Sequence, residues 1–244
     1  MNTKYLITTF LLLILSYNTY PAGSSSEASA FAQFKNSLTV KNQYQMNCQM
    51  ASYLPGREPV IRRYTIFMKG NKILLVTREP ERDKGKMTLM VNDQLWQYFP
   101  RIEKTLNINT AMAVHGNVNI TDIVSRSVFQ FYKKTGYEYQ KSDRTHIFWF
   151  TAIEKSAPYG KIRYFYRNGK IRYFEVYARS GIMLKKIYFI KFLKSDDGVL
   201  YPADIKVINA LREGDYSLVR MSNMKKRNVP DYYFNPATLG KVRE

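Results

Sequence analysis

The strongest constraint on this chain is the period of its hydrophobic pattern, which is two rather than three to four over most of its length. From Thr39 onward, Val40, Tyr44, Met46, Cys48 and Met50 fall on one parity, and Lys41, Gln43, Gln45, Asn47 and Gln49 on the other. Such alternation places one set on the dry face and the other on the wet face of a strand. Val60 to Lys69 and Ile73 to Arg78 flank Gly70-Asn71, a pair suited to a tight hairpin turn with glycine first. A two-residue loop sets Met68 opposite Ile73, Ile66 opposite Leu75 and Tyr64 opposite Thr77, all on one face. Lys86 to Val91 and Gln94 to Phe99 flank Asn92-Asp93 in the same way, which sets Leu89 opposite Trp96 and Met87 opposite Tyr98. Asn168-Gly169 is the strongest turn signal of all. It pairs Tyr166 with Ile171 and Tyr164 with Tyr173, leaving Arg163, Arg167, Lys170 and Arg172 on the other face with Phe165 and Phe174. Further strands are expected at 183–193, 203–210 and 216–224.

Two segments change to helical spacing. Phe31, Phe34 and Leu38 form one apolar stripe; Ile120, Ile123, Val124, Val128 and Phe131 form another, with Asn119 or Thr121 as its N-cap. The expected fold is therefore α+β and mainly β: one large antiparallel sheet carrying a few short helices, with residues 25–244 as a single domain. Ahead of it, Lys4 precedes an apolar run from Tyr5 to Leu15, and small residues follow at Ala22-Gly-Ser24. That run falls short of the roughly 20 residues that cross a bilayer, and it suits a secretory signal removed near residue 24. An uncleaved anchor is the alternative. Cys48 is the single cysteine, so no disulfide can form within the chain, and its place deep in a strand argues against N-terminal lipidation. The expected location is the periplasm, in soluble form.

The formal charge is +19, from 38 basic and 19 acidic residues. Such an excess seeks anions. With an export signal, the candidates are anionic lipid head groups and envelope polymers, and not nucleic acid. The only histidines are His115 and His146, no pair stands at metal-ligand spacing, and no phosphate loop, nucleophile elbow or kinase signature occurs. No catalytic residue, metal or cofactor is expected, and a binding protein is the simplest inference.

Three stretches follow one another at close spacing: Phe67-Met-Lys-Gly-Asn-Lys-Ile-Leu-Leu75, Arg78-Glu-Pro-Glu-Arg-Asp-Lys-Gly-Lys86 and Leu95-Trp-Gln-Tyr-Phe-Pro100. Asn119-Ile-Thr-Asp-Ile-Val124, Tyr166-Arg-Asn-Gly-Lys170, Tyr201-Pro-Ala203 and Val229-Pro-Asp-Tyr-Tyr-Phe-Asn-Pro-Ala-Thr-Leu239 continue the order. In that order the chain resembles the outer-membrane lipoprotein-sorting protein family, relatives of the carriers LolA and LolB. The resemblance implies an incomplete, strongly curved antiparallel β-barrel, its concave side closed by short helices, around a cavity for acyl chains. It transfers no catalytic residue. The cargo stays open between lipoprotein acyl groups, a phospholipid or glycolipid, and none at all if the fold serves as a sensor, and so does the handover partner, a membrane transporter or an anchored acceptor.

A carrier must shield acyl chains with apolar area, at about 0.8 kcal/mol per buried methylene. Tyr44, Met46, Tyr64, Ile66, Met68, Ile73, Leu75, Met87, Leu89, Trp96 and Tyr98 are the expected shared face that supplies it, with a packed core as the other reading. Arg163, Arg167, Lys170 and Arg172, followed in sequence by Lys185, Lys186, Lys191 and Lys194, are expected to dock on an anionic membrane surface. The second functional reading is an envelope binding or sensing module that uses this basic face to hold an anionic polymer or a protein partner.

Overall fold

The computed structural model describes residues 26–38, 42–91, 94–108, 113–119, 122 and 128–242. The expected leader, Val40, Lys41, the Asn92-Asp93 turn, and Ile120, Thr121, Ile123 and Val124 of the expected second helix lie outside the described residues. The described residues include the helices α1 (Glu27–Ser37) and α2 (Val128–Phe131). The strands are β1 (Gln43–Tyr53), β2 (Val60–Lys69), β3 (Lys72–Glu79), β4 (Met87–Val91), β5 (Gln94–Phe99), β6 (Lys104–Ile108), β7 (Ala113–His115), β8 (Val118–Asn119), β9 (Tyr132–Gln140), β10 (Thr145–Ala152), β11 (Lys161–Arg167), β12 (Lys170–Tyr177), β13 (Met183–Lys194), β14 (Leu200–Asn209) and β15 (Tyr216–Lys226). Short 3₁₀ segments occur at Glu81–Asp83, Asp231–Phe234 and Pro236–Lys241.

Among the described residues the chain is mainly β, built on one large, curved, unclosed antiparallel sheet. The strand order is β6-β5-β4-β3-β2-β1-β15-β14-β13-β12-β11-β10-β9, with β7 and β8 forming a separate pair. Near neighbours in sequence are near neighbours in space, except at the centre, where β1 pairs with β15.

The turn chemistry sets the register. Gly70 takes φ +56°, and Met68, Ile66 and Tyr64 face Ile73, Leu75 and Thr77 as the two-residue loop requires. Leu89 faces Trp96 and Met87 faces Tyr98. Asn168 and Gly169 both take positive φ, the signature of the turn that matches strand twist. Tyr166 faces Ile171 there, but Tyr164 faces Phe174 and not Tyr173, which pairs with Phe165. The reason is a β-bulge: one extra residue on β12 inverts the parity of everything beyond it. Phe174 thereby moves to the buried inner face and Tyr173 to the outer one.

The face of the sheet turned toward α1, here called inner, carries one continuous hydrophobic cluster from β5 round to β10. A smaller cluster lies on the outer face of β2 to β5, under the C-terminal 3₁₀ segments.

Candidate functional site

On the inner face, β1 contributes Tyr44, Met46, Cys48 and Met50, β2 contributes Tyr64, Ile66 and Met68, and β3 contributes Ile73 and Leu75, all buried. Opposite them stand Phe148 and Phe150 of β10, Tyr164 and Tyr166 of β11, and Phe174 of β12. The helix α1 is seated among these rings. Ser26 caps it by accepting the Ser29 N–H at 3.3 Å, and Ala30, Phe34 and Leu38 are its buried stripe. The Phe34 ring lies 5.0 Å from Phe148, 5.1 Å from Tyr164, and 5.8 Å from both Phe150 and Tyr166, centroid to centroid. Lys134 on β9 pins the helix from the side, paired with Glu27 and lying 4.9 Å over the Phe31 ring. Phe129 of α2 meets Phe31 and Phe34 edge-on and is itself 40% exposed.

Four residues expected on this face are on the other side of the sheet: Met87, Leu89, Trp96 and Tyr98. Cross-strand partners share a face, and Leu89 pairs with Leu74, while inward-facing Leu75 pairs with Thr88. In β4 and β5 the inner positions are instead Met90 and Leu95. Across the connection between β3 and β4 the inward positions change parity, from odd to even, as parity also changes across the β2–β3 turn, whereas the expected face keeps them odd. That connection is longer than a tight turn and contains Pro80, the Glu81–Asp83 3₁₀ segment and Gly85 at φ +78°.

The outward-facing side chains lie under the chain's end. Val229, Tyr233, Phe234, Leu239 and Val242 cover Phe67, Leu74, Val76, Met87 and Leu89, with the Tyr233 ring edge-on to Phe67 at 5.1 Å. Val229 N–H donates to Gln43 Oε1 at 2.8 Å, and Asp231 pairs with Lys69 at 3.0 Å. Where this cover thins, a cavity of about 770 Å³ remains, lined among others by Val76, Arg78, Met87, Tyr98, Thr105 and Lys241.

Sequence reasoning missed a polar bracket on the inner side. The Asp122 carboxylate, fully buried, accepts from Tyr159 Oη at 2.6 Å, from the Asn119 N–H at 2.9 Å and from Lys185 Nζ at 2.9 Å. Lys185 therefore points inward and is no part of an outer basic face. Asn119 belongs to β8, and its N–H donates to the Asp122 carboxylate. The turn between β7 and β8 is pressed onto the centre of the sheet: a Cβ on Gly116 would stand 2.4 Å from Ser52 Oγ. Asn117 bonds Asp215, and His115 Nε2 lies 2.8 Å from the Val60 carbonyl. Apart from Asn119 and Asp122, these partners lie far apart in sequence and give no local signal.

The expected basic face is largely neutralised. Arg163 sits between Glu138 at 3.5 Å and Glu175 at 3.8 Å, stacked 4.4 Å from Trp149 and 4.7 Å from Phe165. Arg167 pairs with Asp143 at 3.1 Å, and Lys186 with Glu175 at 3.3 Å. Lys170 Nζ lies 5.2 Å over the Phe192 ring, and Arg172 is exposed.

Burial pushes the Cys48 thiol up to about 12 and the Tyr64 phenol up to about 12, so both stay protonated and unreactive. It pushes both His115 and His146 down, toward neutral imidazole. Among the described residues, no group of three or more His, Cys, Asp or Glu could hold a metal ion. Nor does any described helix have the length and apolarity to cross a membrane.

A family profile of the DUF1329 type, described as an uncharacterized protein, matches residues 69–241. The chain belongs to this family. No curated protein matches the sequence. Among solved structures, it is similar to a LolA superfamily protein from Nitrosomonas europaea, with TM-score 0.74 and 23% identity over 87% of this chain and 98% of that one. It is similar to a DUF1329 family protein from Desulfovibrio piger, with TM-score 0.73 and 18% identity over 88% of this chain and all of that one. A putative outer membrane lipoprotein-sorting protein domain from Vibrio parahaemolyticus gives TM-score 0.72 and 16% identity over 86% and 96% of the two chains. The likeness to lipoprotein-sorting proteins that the motif order suggests holds at the level of fold.

Proposed function

We propose that this protein is a periplasmic carrier of acyl chains, exported with residues 1–24 removed, and that it performs no catalysis. In this reading the curved sheet is an incomplete barrel whose concave side is closed by α1 and α2, and cargo takes the place that α1 now fills. The observation that carries it is the continuous apolar inner face, from Leu95 to Phe148, capped over its aromatic half by one short helix. Methionines at positions 46, 50, 68, 90, 221 and 224 on that face can repack around chains of differing shape. The fold's relatives include proteins named for lipoprotein sorting, which supports acyl groups of lipoproteins, or lipids, as cargo. Delivery runs toward the outer membrane, to a transporter-linked or anchored acceptor.

The test is native mass spectrometry of protein purified without detergent, together with uptake of a fluorescent fatty acid. Wild type is expected to carry lipid-mass adducts. Ile73→Glu, which sets a charge on the inner face, is expected to lose them while circular dichroism still reports a sheet. Wild-type protein with no adduct and no uptake would overturn the carrier reading.

A further inference from the structure

Among the described residues, the basic side chains on the outer face of β11 to β13 are largely paired, Arg172 apart, whereas those at the tip of the β13–β14 hairpin form no ion pair. In this antiparallel sheet the turns after β2, β11 and β13 and the last residues of β15 lie at one end. At that end Ile190, Leu193 and Leu200 are 61%, 37% and 43% exposed. They alternate with exposed Lys191 and Lys194. Lys170 reaches the same tip, over the Phe192 ring, and the Lys226 N–H donates to Asp196 at 3.0 Å, which brings exposed Lys225 and Lys226 alongside. The two carboxylates of the turn serve the fold itself. Asp196 holds β15, while Asp197 accepts from Ser195 Oγ at 2.5 Å, Tyr44 Oη at 2.8 Å and Asn42 Nδ2 at 2.9 Å.

We propose that this tip docks on the surface of an anionic bilayer. Lysines at the level of the phosphates, with aliphatic side chains entering the boundary between head groups and acyl chains, satisfy both halves of the patch. A soluble polyanion would engage the lysines and leave Ile190, Leu193 and Leu200 in water. The proposal rests on the envelope location given above and not on cargo, so it stands or falls separately from acyl-chain binding.

The experiment is co-sedimentation of the purified chain with vesicles of phosphatidylglycerol and phosphatidylcholine, or of phosphatidylcholine alone, across a salt series. Binding is expected only to the anionic vesicles, and it weakens as salt rises. At about fivefold per lysine removed from the surface, Lys191→Gln with Lys194→Gln weakens it ~20-fold. Ile190→Ser with Leu193→Ser, at positions already exposed, keeps the melting temperature and abolishes the binding that survives at high salt. Arg101→Gln with Lys104→Gln, at the opposite end of the sheet, changes nothing. Equal binding to both vesicle types, indifference to the lysine and aliphatic pairs, or salt-sensitive binding to polyphosphate with none to vesicles would each overturn the proposal.

Discussion

The two wings of the sheet solve the same problem by different means. In β2 to β5 both faces are apolar: Ile73 to Thr77 and Met87 to Val91 are buried without interruption, between the inner cluster and the C-terminal segments. In β10 to β13 the outer face stays wet, shielded by cations lying on rings: Arg163 over Trp149 and Phe165, and Lys186 over Tyr173 and Tyr188 at 4.6 and 5.4 Å. Its inner face is covered by α1. The first wing thus carries the chain's end on its outer face, and the second is closed on its inner side by one short helix.

Ending the chain after Asn228 removes Val229, Tyr233, Phe234, Leu239 and Val242 and strips the first wing of its outer cover. The expected result, the largest of these effects, is loss of a cooperative calorimetric transition. Melting within a few degrees of the full chain would break the comparison. Phe34→Ala loosens the cover of the second wing instead. Its expected cost is about 3 kcal/mol, at the lower end for a buried phenylalanine because the helix can lift away, with increased binding of a hydrophobic dye and an unchanged sheet signal. A loss as large as that of the truncation would show that α1 is core and not a cover.

The smallest effect is on pH. Burial lowers the His115 pKa, against the opposing hydrogen bond to the Val60 carbonyl, and it lowers that of His146 as well. The unfolded chain then takes up protons first as pH falls. Stability is full above the unfolded histidine value of about 6.5 and declines below it, toward each depressed folded value. The melting temperature is expected to drop by a few degrees between about pH 7.5 and 5.5. His115→Gln, on β7 against the Val60 carbonyl of β2 and the more enclosed of the two, is expected to flatten the profile more than His146→Gln on β10. The reverse order would undo the ranking of the wings.

What could be read from the sequence follows the same division. Alternation from Tyr44 to Met50 gives both the strand and its buried face, and Gly70-Asn71 and Asn168-Gly169 give their turns, because the signals are local. Ile73-Leu-Leu-Val76 and Met87-Thr-Leu-Met90 are buried on both faces and hold no parity to read, so the pattern does not reveal that Leu89 and Trp96 face outward. The inner rings of β10 are hidden for a similar reason. Ile147-Phe-Trp-Phe150 is an unbroken apolar run, and it pairs with a polar β9 in which Gly136 makes room for Trp149, 3.2 Å from where a Cβ would stand. The bulge in β12 and the Asp122–Lys185 pair depend on contacts that the local pattern does not encode.

The strand order has a consequence for how the chain is made. β1 to β6 and β9 to β15 are each plain meanders, and the sheet becomes one only when Cys48 of β1 meets Met221 of β15. Among the described strands, the first to leave the ribosome therefore waits for the last. Meanwhile it presents eleven residues of unpaired backbone with Tyr44, Met46, Cys48 and Met50 along one side, an edge prone to pair with other chains. Joining the halves means closing a loop of most of the polypeptide, a slow and late event for a sheet of this kind. The seam at the middle of the finished molecule is the point at which its synthesis most needs protection.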